Sequence, residues 1–229
     1  MSFAVIVPVL NEEDAIASHL AALGGFRAAG ARVIVVDGGS RDETRSRAAP
    51  HADLVLTAPR GRAAQMSAGA RACDADILLF LHADTRLPPD ADRLVVDGLA
   101  ASGRLWGRFD VDIAGQSPAL PLIAALMNLR SRLGGIATGD QAMFMTRAAF
   151  EAIGGFPDLP LMEDVEASRR LKRLSRPLCL RARARTSGRR WEGRGVWRTV
   201  LLMWWLRLRW FFGADARTLA RAYGYAPRD

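Results

Sequence analysis

The chain has 229 residues, a formal net charge of +8 and a hydrophobic content of 50%. This composition excludes a disordered chain and predicts one domain with a sizeable core, with or without an appendage. Its two cysteines, Cys73 and Cys179, lie far apart, which excludes a disulfide framework and a thiolate zinc site. The positive charge is almost entirely arginine, which favours phosphorylated ligands, polyanions or acidic membrane surfaces without choosing among them.

The N-terminal residues MSFAVIVPVLNEED predict neither a signal peptide nor a membrane span. The segment has no basic start, and its apolar run of about seven residues is too short for either. We therefore expect a cytoplasmic protein in a reducing compartment.

Four apolar runs in the first part of the chain predict the strands of a parallel sheet. They are Phe3–Val9 and residues 32–36, 53–57 and 77–81. The expected helices are one capped by Asn11, one opened by a capping box of Ser40 and Glu43, and one over residues 62–73. Apolar strands that alternate with helices are typical of a doubly wound α/β fold, in which helices cover both faces of the sheet.

Polar residues follow each predicted strand at its carboxyl end, where open parallel sheets bind their ligands. The four groups contain Pro8, Asn11 and Glu12, then Asp37, Gly38 and Gly39, then Arg60 and Arg62, and finally His82 and Asp84. Asp37 can accept hydrogen bonds from a ribose or a base, arginines suit phosphates, and Asp84 suits Mg²⁺ or Mn²⁺ shared with a diphosphate. Each group alone is more typical of helix caps and turns, but together they predict a nucleotide diphosphate site.

The second half of the chain is expected to supply acceptor chemistry. Residues 106–113 alternate as a half-exposed strand would, which predicts that Asp110 and Asp112 face solvent. Glu163 and Asp164 begin a predicted helix, whose N-terminus favours ionised carboxylates. They are candidates for a catalytic base or, alternatively, acidic residues of an ordinary first helical turn.

Five sequence blocks, taken in order, resemble those of family 2 glycosyltransferases of the GT-A fold. They are VIVPVLNEED (5–14), VVDGGSRDET (35–44), FLHADT (80–85), GGFPDLPLMEDVEASRRL (154–171) and SGRRW (187–191). The resemblance implies transfer of a sugar from a nucleotide diphosphate sugar to an acceptor nucleophile, with inversion at the anomeric carbon and with Mn²⁺ or Mg²⁺ as cofactor. The HAD and GDQAMF stretches are also similar to a bacterial subgroup found beside radical-SAM proteins and linked to arsenosugar biosynthesis.

The resemblance also implies roles for individual residues. It places Pro8, Glu12 and Asp37 at the nucleoside and Arg190 at the diphosphate, and the residues themselves add Asn11, Gly39, Arg60 and Arg62 as candidates for nucleotide binding. Asp84 corresponds to the last aspartate of the family's D-x-D metal motif, whereas His82 replaces the first and is expected to bind the metal or a phosphate. Asp164 would be the general base, and Glu163 would position the acceptor.

Two further residues are assigned to the acceptor. Asp140 is expected to face the donor sugar or to form a turn. Trp191, with Arg190, matches the end of the Q-x-x-R-W block of processive family members, and it is expected to stack near the acceptor or to pack in the core. The glutamine of that block is missing, so processive polymer synthesis is not expected.

Residues 196–213 hold four of the six tryptophans of the chain, among arginines. Their uninterrupted apolar stretch of about eight residues cannot cross a bilayer of about 30 Å. They predict either an amphipathic helix in a membrane interface or a helix packed on the domain or on a second subunit. The predicted organisation is a catalytic domain at 1–190, with a nucleotide half at 1–103 and an acceptor half at 104–190, followed by amphipathic helices at 191–229.

Two other functions stay open. A sugar nucleotidyltransferase would need a glycine-rich, lysine-bearing loop after the first strand, which VPVLNEED lacks. A non-enzymatic basic module would bind polyanions or anionic membrane, and it would be indifferent to loss of Asp84. The sequence has no nucleic-acid-binding motif, so nucleic acid is not an expected partner. The acceptor is unidentified, with a lipid-linked molecule at the inner face of the plasma membrane as one candidate, and a homo-oligomer stays open.

Overall fold

Strands and helices alternate along the first half of the chain, as the apolar runs predict. The computed structural model describes residues 1–225, without the side chain of Arg190. The strands are β1 (Phe3–Val9), β2 (Arg32–Asp37), β3 (Leu54–Thr57), β4 (Ile77–Phe80), β5 (Thr85–Arg86), β6 (Trp106–Ala114), β7 (Phe144–Thr146) and β8 (Leu178–Ser187). The α-helices are α1 (Ile16–Ala21), α2 (Gly24–Ala28), α3 (Thr44–Ala48), α4 (Arg62–Arg71), α5 (Ala91–Ser102), α6 (Leu120–Gly134), α7 (Arg147–Ala152), α8 (Glu163–Leu171), α9 (Arg189–Arg194), α10 (Val196–Phe211) and α11 (Ala216–Tyr223).

The strands form one sheet in the order β3-β2-β1-β4-β7-β6-β8-β5. β1 pairs in parallel with β2 and β4, β2 with β3, and β6 with β8. β7 runs antiparallel to β4 and β6, and β5 runs antiparallel to β8. This mostly parallel sheet confirms the predicted α/β class, and it brings the carboxyl ends of β1 to β4 to the same edge.

The interior position of β1 follows from its composition. All of its residues are buried. Val5 and Val7 belong to the core on one face of the sheet, together with Leu79, while Ile6 packs on the other face with Met66 of α4. Burial on both faces is what a continuous apolar run predicts for a parallel strand.

The first helices begin differently from the prediction. α1 begins at Ile16, because Asn11 adopts a positive φ of 51° and its Oδ1 accepts a hydrogen bond from the N–H of Arg41. Ser40 does not cap α3, since its hydroxyl donates to Asp37 instead. Both predicted caps are wrong, because these side chains bridge the loops after β1 and β2.

Strand β6 follows the predicted alternation from Phe109 to Ala114, but its first residues are buried on both faces. Arg108 is fully buried and pairs with Asp110, which also accepts from Arg132. The prediction that Asp110 faces solvent is therefore wrong, because two arginines bind its carboxylate. Asp112 is partly exposed, and its carboxylate lies 3.7 Å from the Nε of Arg185.

The C-terminal helices pack on the domain with one side and expose the other. Leu206 of α10 and Leu219 and Tyr223 of α11 are buried with Leu161 and Met162, which directly precede α8. The exposed large apolar side chains of α10 are Trp197, Leu201, Trp204, Trp205, Leu208 and Phe211. Within residues 1–225, no helix is long and apolar enough to cross a membrane. Residues 226–229 of the predicted helical segment lie outside the described residues.

Candidate functional site

A cavity of about 310 Å³ lies beyond the carboxyl ends of β1 and β4. The predicted site residues that line it are Pro8, Glu12, Arg60, Arg62, His82 and Asp84. The other lining residues are Val9, Leu10, Gly61, Gln65, Ala83, residues 158–160, Arg217 and Tyr225. The structure therefore brings the polar tips after β1, β3 and β4 around one concave site of the size that small ligands occupy.

The polar residues at the end of β2 do not line the cavity but form hydrogen bonds within and between the loops beside it. Asp37 is only 1% exposed and does not appear among the described residues that line the cavity. Its carboxylate accepts hydrogen bonds from the N–H of Gly39 at 3.0 Å and from the N–H and hydroxyl of Ser40. The N–H of Asn11 donates to the same hydroxyl at 2.9 Å. These residues hold two site loops together, and their direct contact with a nucleotide stays a prediction.

Gln65 is a site residue that the sequence patterns did not predict. It is buried, and its Nε2 donates to the carbonyl oxygens of Val9 at 2.8 Å and Val36 at 2.7 Å. A Cβ on Gly38 would lie 3.1 Å from this amide, so glycine there leaves room for it. The available signal was a lone amide in the alanine-rich helix α4. Gln65 fixes the ends of β1 and β2 at the cavity.

Arg62 lines the cavity and lies near the acidic residues Glu163 and Asp140. Burial alone would lower the pKa of Arg62, but nearby Tyr225, Glu163 and Asp140 raise it above its usual value. The guanidinium carbon is 5.8 Å from the centre of the Tyr225 ring. Arg60, in contrast, is exposed. Both arginines are charged groups that a phosphate can approach from within the cavity.

His82 connects the cavity to the predicted base. Its Nδ1 lies 3.3 Å from Oδ1 of Asp140, and its ring covers Gly139, where an added Cβ would be 2.1 Å from the ring Cε1. The N–H of Gly139 donates to Oδ2 of Asp164 at 3.0 Å. The 3₁₀ turn Gly139–Gln141 therefore contacts His82 and Asp164 at once.

Asp84 is the residue that best fits a divalent metal. It is partly exposed, lines the cavity, and accepts a hydrogen bond from the hydroxyl of Thr85 at 3.3 Å. Mg²⁺ at phosphate sites usually has one or two carboxylate ligands and completes its shell with phosphates and water, so one aspartate is sufficient. Within residues 1–225, no group of three metal-ligating side chains comes together. The contact of His82 with Asp140 favours Asp84 as the protein ligand, and metal binding by His82 stays a prediction.

Glu163 and Asp164 open α8 in a buried setting. Burial and the adjacent charge of Asp164 raise the pKa of Glu163 to about 7. Burial also raises the pKa of Asp164, although the N–H groups of Gly139 and Val165 stabilise its ionised form. The pair can therefore hold one proton near neutral pH while the other carboxylate stays ionised.

The other predicted acceptor residues lie in different settings. Asp140 is half-buried beside His82. Trp191 packs with Ile123 and Val196, which favours the packing interpretation over stacking on an acceptor. Arg190 belongs to α9, but its side chain lies outside the described residues, so its phosphate contact stays a prediction.

Residues 4–151 match the model of the family described as glycosyl transferase family 2. Uncharacterised glycosyltransferases from Mycobacterium bovis and Mycobacterium tuberculosis are 36% identical to the chain over 95 residues. The match covers 41% of this chain and 42% of each relative, so the chain spans less than half the length of the curated relatives it matches.

Solved glycosyltransferases share the fold. The mannosyltransferase PcManGT from Pyrobaculum calidifontis, in complex with GDP-Man and Mn²⁺, has a TM-score of 0.67 and 20% identity over 95% of this chain and 66% of its own. TarS from S. aureus, in complex with UDP-GlcNAc, has a TM-score of 0.65 and 17% identity over 82% and 58%. The glucosyl-3-phosphoglycerate synthase of Mycobacterium tuberculosis, with Mn²⁺ and UDP, has a TM-score of 0.61 and 21% identity over 81% and 70%. At such identities the likeness shows the fold alone, and it confirms the GT-A fold.

Proposed function

Because the chain belongs to glycosyl transferase family 2, we propose that it moves a sugar from a nucleotide diphosphate sugar to an acceptor nucleophile, with inversion at the anomeric carbon. The main support is the arrangement of the site. Arg62 and Asp84 line one cavity with His82, and the turn beside His82 holds Asp164. A donor whose diphosphate lies in the cavity would have its sugar on the side of the two carboxyl groups.

UDP-sugars and GDP-sugars are the first donors to consider. The solved relatives were found with UDP, UDP-GlcNAc and GDP-Man, which makes nucleotide sugars of these two bases the leading class. Pro8 and Glu12 would contact the nucleoside beside β1, and Arg60 and Arg62 would face the phosphates. The buried amide of Gln65 would keep the two strand ends in place as the nucleotide enters.

Asp164 is the proposed general base. Inverting transfer requires a base that removes the proton of the acceptor as the anomeric carbon is attacked, a contribution of roughly a hundred- to ten-thousandfold in rate. The N–H groups of Gly139 and Val165 donate to its two oxygens at 3.0 and 2.7 Å, which fixes the carboxylate and favours its ionised form. Burial raises the pKa of Glu163 to about 7, and in its protonated form Glu163 would donate a hydrogen bond to the acceptor.

A divalent metal is proposed as the cofactor, with Asp84 as its protein ligand. When bound, Mn²⁺ or Mg²⁺ would neutralise negative charge on the departing diphosphate. The arginines of the cavity, Arg60 and Arg62, add to that stabilisation, because fixed cations act on charge that develops in the transition state. The relatives solved with Mn²⁺ or Mg²⁺ support the same requirement here.

The donor assay uses water in place of the acceptor. Purified protein is incubated with UDP-sugars and GDP-sugars and Mn²⁺, and release of the nucleoside diphosphate is measured. Proton NMR of the freed sugar before mutarotation should show inverted anomeric configuration. A retained configuration would contradict the mechanism, and formation of a nucleotide sugar from sugar phosphate and nucleoside triphosphate would identify a nucleotidyltransferase instead.

We also propose that the protein contacts an anionic membrane surface. The exposed leucines of α6 are Leu122, Leu126, Leu129 and Leu133. Their helix shares an apolar cluster with α10, which includes Ile123, Met127, Val196 and Val200. Residues 196–214 contain arginines and no acidic residue. An apolar face with tryptophans and flanking arginines matches the interface of an anionic bilayer, where a lipid-linked acceptor would be found.

Vesicle sedimentation tests this contact. The protein should sediment with vesicles that contain phosphatidylglycerol and much less with phosphatidylcholine alone, and Trp204→Ser with Leu208→Ser should abolish the effect. Leu174→Ser, at another exposed leucine, is the matched control. A stable dimer in light scattering, together with no vesicle binding, would assign the face to a second copy of the chain.

A further inference from the structure

Three arginines lie near one another on β6 and α6, and two of them share one carboxylate. Arg108 on β6 and Arg132 on α6 both pair with Asp110, and the Nε of Arg108 also donates to Oγ of Ser131 at 3.0 Å. Arg130 lies on the same helix but takes no part in these ion pairs. The group is therefore positively charged, and Asp110 is already bound by the other two arginines.

The guanidinium of Arg130 has two buried nitrogens without partners. Its Nε and Nη2 are both shielded from solvent, and neither donates to any residue between 1 and 225. Burial lowers the pKa of Arg130, an effect that nearby Asp164 opposes. Unpaired buried donors are costly, and more so on a charged group, so native proteins rarely leave them without a role.

Arg130 lies at the acceptor side of the site. It follows Ile123 and Met127 at helical spacing, on the face of α6 that packs with Trp191. The side chain of Asn128 lies 3.3 Å from Nε2 of Gln141, which ties α6 to the turn that binds Asp164. Asp164 and Asp140 are close enough to act electrostatically on Arg130, so the unpartnered donors lie near the proposed base.

We propose that Arg130 binds an anionic group of the acceptor, either a phosphate or a carboxylate, an assignment that rests on the proposed sugar transfer. Nε and Nη2 form one edge of the guanidinium, and a single oxyanion can accept parallel hydrogen bonds from both. The anion supplies the hydrogen-bond acceptor that Nε and Nη2 of Arg130 otherwise lack in the described part of the chain. Its binding brings the nucleophile of the same acceptor to the side of Asp164.

The first test measures oxyanion binding. Inorganic phosphate and acetate are titrated separately into the protein by calorimetry, in the presence of Mn²⁺ and saturating UDP or GDP, so that the two anion classes are compared. At least one should bind wild type, and Arg130→Met should weaken that binding by about tenfold or more, since charge-assisted hydrogen bonds are lost. Equal affinity in wild type and variant, or no binding of either anion to wild type, overturns the proposal.

A second basic cavity provides the matched control. Arg104, Arg132, Lys172 and Arg176 are among its lining residues, and it shares no described lining residue with the cavity of Asp84. Arg176→Gln removes one exposed charge there and should leave the oxyanion affinity within about twofold of wild type. Loss of binding in Arg176→Gln but not in Arg130→Met would place the anion in that cavity and overturn the assignment to Arg130.

Thermal unfolding separates a binding role from a structural one. Because Arg130→Met removes an unpaired buried cation, its melting temperature should equal or exceed that of wild type. A clear fall in melting temperature would mark Arg130 as a structural residue and overturn the proposal. Donor hydrolysis by wild type is measured in parallel: if it fails, the proposed transfer is wrong, whereas hydrolysis without Arg130-dependent oxyanion binding rejects this inference alone.

Discussion

The donor side and the acceptor side of the site hold their carboxylates in different ways. In the half proposed to bind the donor, residues 1–103, Asp37 ends β2 and Asp84 lies just after β4, and Asp37 is bound by the N–H groups of its own turn. On the acceptor side, residues 104–190, Glu163 and Asp164 lie in a buried setting that raises the pKa of both. Local backbone geometry therefore holds Asp37, whereas burial and contacts distant in the chain set the pKa values of Glu163 and Asp164.

The largest expected effect tests the acceptor side. Asp164→Asn keeps the shape of the side chain but removes the proton acceptor, so kcat for transfer or hydrolysis should fall by roughly a hundred- to ten-thousandfold. Glu166→Gln is the control, because Glu166 is on the same helix and pairs with Arg169 and Arg170 away from the turn. Retained turnover in Asp164→Asn would remove Asp164 as the base.

The next effect tests the donor side. Asp84→Asn should lower turnover by roughly a hundred- to a thousandfold, because loss of one group that stabilises developing charge typically has this size. It should also weaken Mn²⁺-dependent binding of the nucleoside diphosphate, which fluorescence or calorimetry can measure. Chelation of the metal by EDTA should mimic the variant in wild type. Unchanged metal dependence in Asp84→Asn would mean that another residue binds the ion.

A smaller loss of activity is expected when the turn between His82 and Asp164 is disturbed. Gly139→Ala would place a Cβ 2.1 Å from the ring of His82, so the ring or the turn must move and the hydrogen bond to Asp164 is displaced. Misplacement of this kind should lower kcat by up to about a hundredfold with the fold intact. Gly25→Ala is the control, because its Cβ would meet nothing within 4 Å. Normal activity in Gly139→Ala would show that the two sides work independently.

The smallest expected effect concerns stability. Because the pKa of Glu163 rises from 4.5 to about 7 in the folded state, the native protein binds a proton that the unfolded chain releases between those values. Stability should therefore fall as pH rises through this window, and Glu163→Gln should recover roughly 3 kcal/mol above pH 7 and nothing below about pH 4. Urea unfolding at several pH values measures it.

Glu166→Gln is a control with the opposite sign. Hydrogen bonds from Arg169 lower the pKa of Glu166, so its ionised form stabilises the fold above its ordinary pKa. This variant should lose a little stability at neutral pH, and the loss should vanish in acid as the wild-type carboxyl takes up its proton. If both variants respond to pH alike, the contrast between the buried pair and the surface pair is wrong.

Much of the half at residues 1–103 could be predicted, because each strand and its polar end are indicated by neighbouring residues in the sequence. The run Phe3–Val9 is apolar throughout and forms β1 with the predicted bounds. The polar tip at His82 and Asp84 follows directly from the end of an apolar strand. The start of α8 at Glu163 was also predictable, since a glycine- and proline-rich stretch and an acidic first turn precede and open it.

The missed features depend on partners far away in the chain. Alternation along β6 could not show that Asp110 would meet Arg132, 22 residues further on, and so it predicted a solvent-facing carboxylate. In the sequence Gln65 is an ordinary helix residue, because its hydrogen-bond acceptors, the carbonyl oxygens of Val9 and Val36, lie on β1 and β2. Side-chain pairing across elements is a property of the packed fold, which periodicity alone does not contain.

The packing of the C-terminal helices has a consequence for protein engineering. Leu206 and Tyr223 are buried with Met162, whose left-handed backbone leads into the acidic pair, and Tyr225 lines the cavity itself. Removing or exchanging the tail at residue 190 would therefore uncover the entrance to α8 and open one wall of the pocket. In chimeras with relatives, the C-terminal helices and the residues on which they pack, Leu161 and Met162, should come from the same parent.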